Sequence, residues 1–268
     1  MAQQTQAARA GEAWMTFMAQ FPTVRALAAA PIADVLRAWQ GLGYNRRALN
    51  LWRAAGRIVD AFGGQVPRTI EALETLPGVG PYTARAVAAI AFGIPVGAVD
   101  TNVRRVLGRV VAGEVGGLSP AELQRVADAA VPHDRPGDWT HAVMDLGATV
   151  CHPRRPDCGA CPARPWCHYA GADAGTAREA VAGAAARTRP VAAHERQAPF
   201  HTTSRWLRGR ILDRLRAAEN GEWVTLDSMI GTHNLVAVEV ALRALEKDGL
   251  LELDARPIPH LSARLPIT

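Results

Sequence analysis

Leu76-Pro77-Gly78-Val79-Gly80-Pro81-Tyr82-Thr83-Ala84 reads as the end of one helix, a tight Gly-x-Gly turn and the start of a second helix. Two glycines let the backbone approach a ligand closely, and the free N–H groups where a helix begins favour an anion. With phosphate as the anion, such a hairpin grips a nucleic-acid backbone without reading its sequence. Taken alone, the run also fits an ordinary helix hairpin whose glycines only cap and turn. Beyond it, the apolar stretch Ala86–Val99 ends at Asp100, eighteen residues after Tyr82, where a further helix should begin. An Asp in that place is most often an N-cap.

The four cysteines all sit further along in one run, Cys151, Cys158, Cys161 and Cys167, spaced C-x6-C-x2-C-x5-C. None is left over for a disulfide or a separate thiol site. Four thiolates so close together form a coordination cage for one soft metal centre. Four-cysteine zinc sites usually pair two C-x2-C knuckles, whereas a cubane cluster takes one thiolate on each iron. The single C-x2-C with six- and five-residue neighbours suits the cluster, and on spacing alone zinc stays open. Arg154 and Arg155, between the first two cysteines, and Arg164 in the last gap read as phosphate contacts or as a solvated loop.

The hairpin, the carboxylate and the cysteine run, in that order, resemble the helix–hairpin–helix DNA glycosylases with an iron–sulfur cluster, the endonuclease III and MutY superfamily. The resemblance covers residues 1 to about 170 and implies a mainly α fold with a 4Fe-4S cluster on the four cysteines. Gln3-Gln4-Thr5-Gln6, Gly41-Leu42-Gly43-Tyr44 and Met144-Asp145-Leu146-Gly147-Ala148 resemble segments of the MutY-type adenine glycosylases, and the runs YTARAVAA (82–89), VDTNVRRV (99–106) and LGATVC (146–151) resemble their actinobacterial branch. Tyr82 stands where bifunctional relatives have a lysine that attacks the sugar, so neither a Schiff base nor strand cleavage is expected.

What the resemblance implies agrees with the chemistry. Breaking an adenine N-glycosidic bond needs a proton on the leaving base and stabilisation of an oxocarbenium-like sugar. The target base must first leave the stack. Asp100 matches the family's catalytic carboxylate, an anion at a helix start facing the developing cation. Tyr82 and Asn102 match residues around that centre. Gln3, Gln4 and Tyr44 match DNA contacts, with Gln4 and Tyr44 as wedges and Tyr44 beside the damaged guanine. Gly78 and Gly80 belong to the phosphate-gripping hairpin. Asp145 matches a carboxylate that reads the flipped adenine, with a buried helix-packing Asp as the alternative.

The expected function is monofunctional removal of adenine mispaired with 8-oxoguanine or guanine in double-stranded DNA. Thymine-mismatch glycosylases of the same superfamily also carry Tyr at the lysine position and are one alternative. A non-catalytic iron–sulfur DNA-binding protein is another. The family's general acid is a Glu two positions before the Met that aligns with Met1, and the first acidic residue here is Glu12. The 268-residue chain is therefore expected to bind DNA but excise adenine poorly, and an upstream extension to restore activity. Nothing resembles the Nudix-like domain that ends longer MutY proteins.

The formal net charge of +5 and a pI of about 9.5 favour a polyanionic partner. The polar start does not read as a signal peptide, and Ala86–Val99 is too short and too broken to cross a membrane. Cluster thiolates need a reducing compartment, so a cytoplasmic, nucleoid-associated monomer is expected. The chain divides into a glycosylase domain over 1–171, a linker rich in Ala, Gly, Arg and Thr over 172–203, and a last domain over 204–268. In that last domain Trp206–Ala218 reads as a helix, Val224–Ile230 as a short helix leading to a turn, and Asn234–Lys247 as a longer helix. Leu250–Leu253 and Ser262–Leu265 could pair as a small wing, an order that resembles a winged helix. Upstream, Thr23 reads as a helix cap, Arg46–Phe62 as a helix with a core-facing stripe, and Ser119-Pro120-Ala121-Glu122 as a capping box.

Overall fold

A computed structural model describes residues 1, 5, 7–171, 199–254 and 261–267. Gln3 and Gln4 lie outside the described residues, as does most of the 172–203 stretch. Local chemistry sets most helix boundaries. Helix α1 is Ala7–Gln20, and α2, Val24–Ala29, starts at Thr23, whose hydroxyl accepts from the Ala26 N–H. Helix α3, Ile32–Ala38, follows Pro31, and α4, Arg46–Phe62, closes on Gly63 in the left-handed region. Helices α5, Ile70–Glu74, and α6, Pro81–Phe92, flank the glycine hairpin. Asp100 caps α7, Thr101–Ala112, and the Ser119–Glu122 capping box opens α8, Pro120–Ala130. Helix α9, Pro136–Thr149, runs into the cysteine loop, which ends in a 3-10 turn at Arg164–Trp166 and the short α10, His168–Gly171.

The C-terminal elements are α11, Ser204–Ala217, β1, Val224–Thr225, α12, Leu235–Lys247, β2, Glu252–Leu253, and β3, Ser262–Arg264. The strands form an antiparallel sheet in the order β1-β3-β2, which is the wing expected from sequence with one strand added. The added strand corrects the reading of Val224–Ile230 as a short helix. β-Branched Val224 and Thr225 pair with Ala263 and Ser262, and the Leu226 N–H donates to the Leu261 carbonyl. On α4, Leu49, Ala55 and Ile58 are buried as the stripe required, but Leu51 faces outward.

The chain forms two compact units, and neither is continuous in sequence. The described residues of Met1–Pro67, Leu76–Gly78 and His194–Thr268 make the first, and those of Arg68–Thr75 and Val79–Ala193 the second. In the first unit, Phe17, Ile32, Leu36, Trp39 and Leu49 belong to the same buried cluster as Leu207, Ile211, Leu215, Leu242 and Leu250. The C-terminal elements therefore share a core with α1–α4. Two arginines exchange hydrogen bonds across this packing. Arg37 donates to the Arg216 and Ala218 carbonyls at the end of α11, at 3.0 and 2.6 Å. Arg216 donates to the Leu36 carbonyl of α3 at 2.9 Å. Each cation thus meets carbonyls that a helix C-terminus leaves unsatisfied. Burial pushes the Arg216 pKa down, and neighbouring Asp213 pulls it back.

The second unit packs Val103 and Leu107 of α7 against Leu123 and Ala127 of α8, with Trp139, Val143 and Met144 of α9 alongside. Helices α7 and α9 come unusually close. A Cβ on Gly147 would lie 2.6 Å from the Asn102 Cβ, so only glycine fits there. No helix among the described residues is long and apolar enough to cross a membrane.

Candidate active site

Asp100 stands at the first turn of α7 with both carboxylate oxygens engaged. Oδ1 accepts from the Val103 N–H at 2.7 Å, and Oδ2 accepts from Asn102 Nδ2 at 3.2 Å. The first bond is the N-cap geometry that the sequence implied. The second fixes the carboxylate's rotation, because Asn102 is itself held. Its Oδ1 accepts from Arg105 Nη2 at 2.8 Å. Tyr82, near the start of α6, is partly exposed, and its hydroxyl points to Met144 Sδ at 3.8 Å. Burial first, and the negative charge of Asp100 second, push the Tyr82 pKa above the ordinary phenol range. At neutral pH the side chain is a hydroxyl donor, with no amine or phenolate to act as a nucleophile. Asp145, on α9, is exposed, which removes the packing role considered for it from sequence.

Gly78 takes φ +78°, and a Cβ there would lie 2.7 Å from the Asn50 Cβ, so the hairpin needs glycine on two counts. Beside Gly80 the space is open, and no side chain caps α6 at that residue. Arg154, Arg155 and Arg164 are exposed on the cysteine loop.

The four cysteines line one pocket of about 370 Å³, open mouth included, with Arg109, Val150, Leu146 and Tyr169 among its walls. Burial, then the nearness of Cys167, Cys151 and Cys161, raises the Cys158 thiol pKa. Among the described residues no three metal-ligating side chains converge closely enough for a single ion. Arg109 Nη1 lies 3.3 Å from Cys151 Sγ, and its Nε is buried without a hydrogen-bond partner. Four thiols around a pocket, with a guanidinium in its wall whose Nη1 already reaches one of the thiol sulfurs, fit a bulky anionic thiolate-bound centre.

Comparison with known proteins gives the family. Residues 1–126 match the HhH-GPD superfamily of base excision DNA repair proteins. The adenine DNA glycosylase of Mycobacterium tuberculosis is 44% identical over 223 residues, which are 82% of this chain and 68% of that protein. The adenine DNA glycosylase of Mycolicibacterium smegmatis is 39% identical over 258 residues, 95% of this chain and 82% of that protein. The chain belongs to this family of adenine DNA glycosylases. Among solved structures, a thermostable thymine-DNA glycosylase is 30% identical with a TM-score of 0.59, covering 62% of this chain and 78% of that one.

Two arginines of this glycosylase were not anticipated from sequence. Arg105 is nearly buried and donates to Asn102 Oδ1, to the Gly147 carbonyl at 2.5 Å and to the Cys151 carbonyl at 2.7 Å. A hydrogen-bonded chain thus runs from the first cysteine's backbone through Arg105 and Asn102 to Asp100. Arg109 sits one helical turn on, with its guanidinium 4.9 Å from the Tyr169 ring centre. Their i, i+4 spacing on the face of Val106 was the available signal, since charges on an apolar face are seldom buried without partners.

The Gly41–Tyr44 turn lies in the first unit and is described by itself. Gly41 and Gly43 have φ of +83° and +67°, and Tyr44 follows at +46°. Among the described residues Tyr44 is the one non-glycine residue in the left-handed region. The turn is fixed by Trp39 Nε1, which donates to the Gly43 carbonyl at 3.1 Å, and by Arg47, which donates to the Leu42 carbonyl at 3.0 Å. It leaves Tyr44 47% exposed.

Proposed function

We propose that the protein is a monofunctional glycosylase that removes adenine mispaired with 8-oxoguanine or guanine in double-stranded DNA, during base excision repair. The observation that carries the reading is the Asp100 carboxylate. It is fixed at the α7 N-terminus by Val103 N–H and Asn102, with the Tyr82 hydroxyl nearby where an attacking amine would otherwise stand. As the glycosidic bond lengthens, the leaving adenine takes up a proton from a general acid or from solvent, and the sugar becomes cationic. Asp100 stabilises that cation, and water completes the hydrolysis to an abasic site. The exposed Asp145 is the proposed reader of the extruded adenine. Tyr44, Gly78, Gly80, Arg154 and Arg155 are the proposed DNA contacts. The protein would act as a monomer in the cytoplasm, on the nucleoid.

Cys151, Cys158, Cys161 and Cys167 are proposed to hold a 4Fe-4S cluster. When bound, that group would supply a rigid anchor for the Cys151–Cys167 loop. Iron and acid-labile sulfide in equal amounts support this assignment, and zinc without sulfide overturns it.

A second reading, excision of mismatched thymine, is favoured by the likeness to the thymine-DNA glycosylase structure. Single-turnover reactions separate the two. The duplexes carry adenine opposite 8-oxoguanine, adenine opposite guanine, adenine opposite thymine, or thymine opposite guanine. The assay uses the 268-residue chain and a version extended upstream to include the family's Glu. Adenine should be released fastest opposite 8-oxoguanine, more slowly opposite guanine, and least from the normal pair. Thymine release without adenine release replaces the first reading with the second. No release by either length rejects both in favour of a DNA-binding protein without the chemistry.

A further inference from the structure

The turn that presents Tyr44 is bracketed by the C-terminal elements. Arg216 of α11 donates to Asn45 Oδ1 at 2.7 Å, next to Tyr44 in sequence. Arg46, the following residue, pairs with Asp248 at 3.6 Å, just past α12. Gly249 packs against α4 so closely that a Cβ there would lie 3.2 Å from Leu49 Cδ2. Most directly, the guanidinium of Arg205, at the start of α11, lies over the Tyr44 ring at 4.6 Å from its centre. Arg47 approaches the same ring at 5.6 Å.

Three features of Arg205 need explaining together. It is exposed, no carboxylate pairs with it among the described residues, and its described contact is an aromatic ring that is itself half exposed. An exposed cation–π contact contributes little to folding, so stability does not account for the arrangement. The ring it covers belongs to the non-glycine residue held at positive φ, a strained conformation of the kind that gathers at functional positions. Planar arginine stacked on an aromatic side chain is also a recurrent means of following a nucleic-acid strand. The ring meets a base, and the guanidinium's outer N–H groups reach a phosphate.

We propose that Arg205 is a DNA-backbone contact supplied by the C-terminal elements. The Tyr44 ring positions it on a phosphate of the strand into which Tyr44 inserts. The C-terminal elements would then serve recognition through the first turn of α11 rather than through α12. Along α12 Arg243 is already paired with Glu239 at 2.8 Å, Lys247 is confined to the last turn, and Val236 and Val240 face outward. The proposal rests on the reading of Tyr44 as a wedge, and the test separates the two.

The experiment is equilibrium binding of the full chain to a labelled duplex carrying a stable abasic analogue opposite 8-oxoguanine, titrated over a range of salt. Arg205→Ala should weaken binding about fivefold near physiological salt and reduce the slope of log K against log salt by about 0.9, one phosphate contact. Arg205→Lys should restore the slope but only part of the affinity, because the ammonium lacks the planar stack. In a Tyr44→Leu background, Arg205→Ala should cost less than it does alone. Thermal midpoints of the Arg205 variants should match the parent, which excludes a merely structural role. Equal slopes for the parent and Arg205→Ala overturn the proposal. If Tyr44→Leu still weakens binding in that case, the wedge reading survives without Arg205. If Tyr44→Leu also binds like the parent, both ideas fall.

Discussion

In the upstream-extended protein, replacing Asp100 by Asn should lower single-turnover adenine excision about a thousandfold while duplex affinity is retained. The substitution keeps the shape of the side chain and an oxygen that can still accept from the Val103 N–H, so the first turn of α7 is undisturbed. It removes the negative charge proposed to face the developing sugar cation. Loss of one preorganised electrostatic partner costs about 3–4 kcal/mol of transition-state stabilisation, which sets the thousandfold expectation. The amide also disturbs the contact with Asn102. One of its ends now presents N–H groups to Asn102 Nδ2, and Asn102 cannot turn to compensate because Arg105 holds its oxygen. Retained binding is part of the prediction, since phosphate contacts dominate affinity for DNA. A variant that excises within tenfold of the parent would remove Asp100 from the chemistry.

The second large effect concerns the C-terminal elements. Deleting residues 199–268 should unfold the first unit rather than trim an appendage. Leu36 of α3, its C-cap residue Trp39 and Leu49 of α4 share a buried cluster with Leu207, Ile211, Leu215, Leu242 and Leu250. Fully burying each such side chain contributes about 1.5–3 kcal/mol, so exposing even four of the facing residues costs on the order of 8 kcal/mol. Whole domains are stable by only about 5–15 kcal/mol, so the loss is enough to unfold the unit. The deletion also strips Arg37 of the Arg216 and Ala218 carbonyls and leaves the α3 end without the Arg216 cap. Circular dichroism melts and limited proteolysis of the shortened chain read the outcome. A cooperative melt at the parent's midpoint would show that α1–α4 stand alone and would contradict the shared core.

The site was more legible in the sequence than the way the chain divides in space. Asp100, Thr23 and Ser119 could be placed because capping is a local matter. The side-chain oxygen answers N–H groups two or three residues away, and the sequence shows both partners. Gly78 could be placed because a Gly-x-Gly turn between helical runs demands a left-handed backbone. The union of α11 with α3 could not be read in that way, because Arg37 meets carbonyls about 180 residues further on. The amphipathic pattern of α11 announces a buried face without naming what covers it. The short strand at Val224–Thr225 escaped for a similar reason, since two residues carry no period and only the pairing with β3 makes them a strand. Arg105 and Arg109 were hidden by their charge, which on a helix usually means an outward face. Here backbone carbonyls of the cysteine loop accept hydrogen bonds from both.

The most direct test of the account is a single-turnover reaction on a duplex with adenine opposite 8-oxoguanine, run with borohydride and resolved before and after alkali. With Tyr82 in place of an attacking amine, strand scission should appear only after alkali and no protein should be covalently trapped on DNA. Scission without alkali, accompanied by a borohydride-trapped adduct, would show an amine nucleophile at work and contradict it.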